Sequence, residues 1–111
     1  MKRWRDAHPL ANRAAIMAGN ANTWAKFHGV PGRITRADVL PFLGQPCHYC
    51  GREGGEEYRE RIGIDHVVAM STGGPNTVAN LVPCCQACNV SKRHAAHPVW
   101  GNYYRATEAG R

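Results

Sequence analysis

No run of apolar residues in this chain approaches the roughly 20 that a membrane-spanning helix needs. The basic residues at its start, Lys2, Arg3 and Arg5, do not lead into the continuous apolar stretch of a secretory signal. Together these absences point to the cytoplasm and away from any membrane partner. An even cysteine count is missing too. Five cysteines fit poorly with a secreted disulfide framework and better with reduced, metal-binding thiols. Acidic residues are few, eight Asp plus Glu against fourteen Lys plus Arg, so the formal charge is +6. A small basic protein favours an acidic partner, nucleic acid first. The chain shows no internal repeat beyond a duplicated CxxC and no linker long enough to divide it. One domain over residues 1–111 is expected: a basic helical arm at 1–34, a core at 35–97 and a tail at 98–111. Dense apolar packing is also lacking, because twelve glycines and seven prolines interrupt the 111 residues. Such a chain needs a staple, and a bound metal is the obvious one.

The staple is readable. Cys47-His48-Tyr49-Cys50 and Cys85-Gln86-Ala87-Cys88 are two CxxC pairs. Four thiolates at that spacing close a tetrahedral zinc site and leave no place for water, so this zinc is structural. Neither pair lies in the βαβ context of a redox motif. Cys85 with Cys88 repeats the gap of the first pair, whereas Cys84 with Cys88 does not, so Cys84 is assigned to the core as a small hydrophobe. His48 is flanked by better ligands, and Tyr49 is expected to pack.

The remaining elements follow from pattern. Residues 1–30 suggest two short helices broken at Gly19-Asn20. Trp24 and Phe27 are expected in the core, and Arg3, Arg5 and Arg13 are candidate phosphate contacts. Thr35 caps a helix through Ala37, Val39, Leu40, Phe42 and Leu43. Residues 52–61 read as a polar loop in which Glu57 and Glu60 are solvated surface, with a stray metal ligand the alternative that nothing in the pattern asks for. A strand is expected over 62–70, a loop over 71–76, a second strand near 81–84 and a helix over 86–94. Trp100, Tyr103 and Tyr104 in the tail are read as packing, with base stacking the alternative.

Between the cysteine pairs lies Ile64-Asp65-His66-Val67-Val68. Asp65 offers a hard oxygen ligand and His66 a general base. Consecutive strand residues face opposite sides, so a site using both requires the strand to end, twist or bulge there. Asn89 adds an amide oxygen directly after Cys88. Two such oxygens suit Mg²⁺ or Mn²⁺. On a helix, Asn89, Lys92 and Arg93 share a face, which makes Lys92 and Arg93 phosphate clamps. Asn80 either shapes the loop or fixes the ring of His66.

In this region the chain resembles the HNH endonuclease family, in its form with paired zinc knuckles. The matching text is CHYC followed by GIDHVVAMSTGGPNTVANLVPCCQACNVSKR. The resemblance implies a small α+β, ββα-metal (His-Me finger) fold with a structural zinc and, here, N-terminal helices. It places the divalent-metal aspartate on Asp65, the general base on His66, the central asparagine on Asn80 and the second divalent-metal ligand on Asn89. The zinc ligands fall on Cys47, Cys50, Cys85 and Cys88. Two departures, Val68-Ala69 where many members carry proline and the extra Cys84, remove no catalytic group. DNA is the implied partner and phosphodiester hydrolysis the implied activity; no appended specificity domain is evident, so loose sequence preference or dependence on a partner is expected. Small free-standing members are common in phages and act near genome-packaging machinery. Phage packaging proteins and a second copy of the chain are therefore further partner candidates, with the host cytoplasm as location. The competing reading is a non-catalytic zinc-knuckle module that binds nucleic acid, which leaves Asp65, His66 and Asn89 without a role.

Overall fold

In a computed structural model, residues 7–93 are described, with the side chains of Lys92 and Arg93 outside that description. The fold is small α+β. A long helix α1, Pro9–His28, precedes a short helix α2, Arg36–Val39, which runs on into a 3₁₀ turn, Leu40–Gly44. Strands β1, Ile62–His66, and β2, Leu81–Cys85, form a two-stranded antiparallel sheet, and helix α3, Gln86–Arg93, follows at once. The register pairs Ile62 with Cys85, Asp65 with Val82 and His66 with Leu81. Among the described residues no helix is long and apolar enough to cross a membrane.

Helix α1 corrects the expectation of two short helices. It continues through Gly19-Asn20 because Ala14, Ala18, Ala21 and Ala25 form one buried stripe on its inner face. A mid-helix glycine costs roughly 1 kcal/mol relative to alanine, which a continuous packed face outweighs. Pro9 sits where a missing N–H costs nothing, and Gly29, at φ 69°, closes the other end in the left-handed conformation. The stripe consists of small residues, and this explains a second correction. Trp24 and Phe27 lie off it and are exposed, 52% and 74%. They group with His28 on the surface, Trp24 stacking on His28 at a centroid distance of 5.8 Å.

Thr35 caps α2 as expected. Its hydroxyl accepts from the Asp38 N–H at 3.2 Å, and the Asp38 carboxylate accepts from the Thr35 N–H at 2.9 Å. Val39, Leu43 and Ile34 meet the alanine stripe and Leu81 in one apolar cluster. The second cluster is built around sulfur: Cys47, Tyr49, Ile62, Cys84 and Cys85. Three of the five buried residues of this cluster are cysteines, Cys84 among them as a core residue.

The strand expected over 62–70 stops at His66. The Val67 N–H is taken by the Asn80 carbonyl at 2.8 Å and the Val68 N–H by Asn80 Oδ1 at 3.0 Å. The first of these bonds keeps the register of the sheet, but the Asn80 N–H turns to the Thr77 carbonyl at 2.9 Å and does not return it, so the ladder ends and the chain turns through Met70–Thr72.

Candidate active site and cysteine cluster

Each CxxC pair is presented by a defined piece of backbone. The first turns tightly: the Gly51 N–H donates to the Cys47 carbonyl at 2.9 Å, and Gly51 adopts φ 77°. The His48 N–H reaches across to the Pro83 carbonyl at 2.8 Å and docks this turn on β2. The second pair spans the junction of β2 and α3. The Sγ atoms of Cys47, Cys50, Cys85 and Cys88 consequently lie within 4.8 Å of one another. Cys50 and Cys85 are 3.8 Å apart. A tetrahedron with metal–sulfur bonds of about 2.3 Å has edges of about 3.8 Å, so the four cysteines can hold a metal such as zinc.

The electrostatics agree with that fit. Burial pushes the Cys47 thiol up, but N–H groups of Cys85, Cys50 and Tyr49 and the Cys50 side chain outweigh it and bring it down to about 7. Cys85 is raised by burial, and Cys88 is raised by burial, by the Cys85 side chain and by the charges of its sulfur neighbours. The Cys47 thiolate forms readily, and Cys85 and Cys88 resist joining it, a repulsion that a bound cation relieves. Glu57 and Glu60 join no metal-ligand cluster among the described residues.

Asp65 and His66 occupy the end of β1. The strand terminates there, one of the ways for neighbours of opposite facing to serve one site. Asp65 is 8% exposed, and its Oδ2 accepts from the Tyr49 hydroxyl at 2.5 Å. Tyr49, read from sequence as packing, is buried and also orients this carboxylate. Half-buried His66 has its Nε2 2.8 Å from Oδ1 of Asn76, and Asn76 is fully buried. Nothing in the sequence distinguished Asn76 from an ordinary loop residue. Its signal, if any, is a polar residue beside glycines and proline in the segment that joins the two strands.

Asn80 shapes the loop. Its side chain accepts from the Val68 N–H and donates to the carbonyls of Val68 and Pro75 at 3.0 and 2.9 Å. Gly74 belongs to the same device, since a Cβ there would collide with the Val68 carbonyl. Asn89 is half-buried on α3, one residue beyond Cys88. The cysteine cluster therefore anchors Asp65 through Tyr49 and Asn89 through the backbone.

Of the proposed phosphate contacts, Arg13 has one donor committed inside the protein: Nη2 donates to the Ile62 carbonyl at 2.9 Å and pins α1 to β1. Burial, then the nearby charge of Arg61, lowers its guanidinium below the ordinary value. Lys92 and Arg93 close α3. Arg3, Arg5 and the tail aromatics Trp100, Tyr103 and Tyr104 lie outside the described residues.

Residues 47–95 match the HNH endonuclease family. They form an HNH endonuclease domain. This HNH domain contains both cysteine pairs, the Asp65–His66 strand end, the Asn80 loop and α3. Over 70 residues the chain is 37% identical to the CRISPR-associated endonuclease Cas9 of Actinomyces naeslundii, an overlap of 62% of this chain and 6% of that protein. The chain thus spans a small fraction of that relative's length.

Proposed function

We propose that the protein is a metal-dependent DNA endonuclease that hydrolyses phosphodiester bonds, with a structural zinc on Cys47, Cys50, Cys85 and Cys88. The observation that carries this reading is the Asp65–His66 strand end inside the HNH domain, where each side chain has a separate buried partner, Tyr49 for one and Asn76 for the other. A surface pair without a role has no use for two such supports.

Asp65 and Asn89 are the residues that would hold Mg²⁺ or Mn²⁺, hard cations suited to a carboxylate and an amide oxygen. When bound, such an ion neutralises charge developing on the phosphate and its leaving oxygen. His66 takes the proton from the attacking water. Asn80 keeps the loop beside His66 in one shape. Lys92 and Arg93, with Arg3, Arg5 and the remaining donors of Arg13, bind phosphates without reading bases. One such site cuts one strand, so a double-strand break needs two nicks or a second copy.

Incubation of supercoiled plasmid with Mg²⁺ or Mn²⁺ tests the proposal. Relaxed circles produced by the parent protein, and far fewer by His66→Ala, are expected. Salt-sensitive DNA binding with no cleavage in any divalent metal would favour the non-catalytic module.

A further inference from the structure

Side-chain hydrogen bonds connect His66 to a part of the chain outside the HNH domain. Ile34 is 1% exposed. Its N–H donates to Asn22 Oδ1 at 2.9 Å, and its carbonyl accepts from Asn22 Nδ2 at 2.9 Å. A backbone N–H can only donate and a carbonyl can only accept, so the Asn22 amide has one allowed orientation. Turned over, it would set N–H against N–H and oxygen against oxygen.

That constraint propagates. Asn22 Oδ1 also lies 2.9 Å from Nδ2 of Asn76, and only the NH₂ end of Asn76 can face an oxygen that has no proton to give. Asn76 Oδ1 must then be the atom 2.8 Å from His66 Nε2. An acceptor at that nitrogen requires a proton on it. The neutral ring is the Nε2–H tautomer, with the lone pair on Nδ1.

Asn76 has little freedom to escape this role. It is 0% exposed, and its own N–H donates to the Pro31 carbonyl at 2.8 Å. Gly32, at φ 107°, lies so close that a Cβ would strike the Asn76 carbonyl oxygen. Asn22, Pro31, Gly32 and Ile34 all precede residues 47–95.

We infer that Asn76 is a positioning residue for His66, and that Asn22 on α1 dictates which way Asn76 points, so the N-terminal helix selects the tautomer that presents Nδ1 as the proton acceptor. The catalytic consequence rests on the proposed nuclease reading, whereas the tautomer does not. In the reaction the water O–H bond breaks, the proton goes to Nδ1 and the oxygen attacks phosphorus; the bond from phosphorus to the leaving oxygen breaks, that oxygen departs with the electron pair and takes a proton from solvent, and the Nε2–H···Oδ1 bond persists throughout.

The test is a long-range ¹H–¹⁵N spectrum of the histidine side chains in metal-loaded, ¹⁵N-labelled protein, at a pH where the His66 ring is neutral. His66→Ala identifies the resonance by its loss. The parent is expected to show the Nε2–H pattern, and Asn76→Ala and Asn22→Ala a mixture of tautomers. An Nδ1–H pattern in the parent overturns the inference and needs no variant to fold. An unchanged pattern in folded Asn76→Ala overturns it equally. In plasmid cleavage, Asn76→Ala should lower kcat by ~10–100-fold with KM little changed, and should cost nothing more in a His66→Ala background. Full additivity of the two substitutions would refute the positioning role. A parent that shows the Nε2–H tautomer but cuts no DNA would sink the nuclease reading and leave the hydrogen-bond chain intact.

Discussion

The Tyr49 hydroxyl donates to Oδ2 of Asp65 at 2.5 Å, from inside the first cysteine turn to the next-to-last residue of β1. This bond makes the cysteine cluster a support for the carboxylate as well as a staple. Tyr49→Phe should leave the fold and the zinc unchanged. The freed carboxylate should hold its divalent ion less well, with a loss of about 1.5–3 kcal/mol for a hydrogen bond to a charged group. The Mg²⁺ concentration for half-maximal single-turnover cleavage should therefore rise by about tenfold or more. An unchanged midpoint would remove Tyr49 from the site.

Elemental analysis should find one zinc per chain. Cys88→Ser should lose that zinc and the cooperative thermal transition with it, because the second core cluster is built on the thiols. Structural zinc contributes on the order of 10–16 kcal/mol of apparent binding energy in small zinc peptides. A zinc-free parent with a cooperative transition would end the assignment.

His66→Ala should retain the fold, the zinc and DNA binding, because His66 belongs neither to the cysteine cluster nor to the proposed phosphate clamps. Cleavage should fall by a factor on the order of 10²–10⁴, the usual worth of a positioned base. Excess Mn²⁺ should not restore it, whereas it should partly restore Asp65→Ala and Asn89→Ala. Single-turnover rates at saturating metal are the measurement, and parent-like cleavage by His66→Ala would dismiss it as the base.

Asn80→Ala behaves differently. Its side chain makes three hydrogen bonds to the loop backbone, to the Val68 N–H and to the carbonyls of Val68 and Pro75. Their loss leaves part-buried backbone groups unsatisfied, so denaturant unfolding should show a loss of about 2–4 kcal/mol. Activity should decline together with stability, unlike in His66→Ala. A variant of parental stability would mean that the loop does not depend on this side chain.

DNA affinity should fall steeply with salt, since the proposed contacts are to phosphates. Replacing Lys92 and Arg93 together by alanine should reduce the slope of log K against log salt by about two units. The check is a fluorescence-anisotropy series across ionic strength, and an unaltered slope would discount both residues.

What the sequence determined on its own is local or chemically unmistakable. The cysteine pairs were legible because two-residue spacing is dictated by one turn of backbone around one ion, and Cys84 was separable from Cys85 by that same spacing. The capping box at Thr35 and Asp38 spans three residues, and its chemistry is written in their identities. Strands on either side of a glycine-rich loop, and a helix after the second, needed only short-range pattern. Tertiary structure decided everything that depends on distant partners. Whether α1 breaks at Gly19 turned on a packed alanine stripe. Trp24 and Phe27 went to the surface because that stripe, made of small residues, faces the core without them. The end of β1 was set at Asn80, whose own N–H turns to the Thr77 carbonyl and whose side chain takes the Val68 N–H. Asn22 and Asn76, 54 residues apart, meet only because Ile34 and Gly32 bring α1 against the loop. A hydrogen bond between residues so distant leaves no periodicity for a sequence to display.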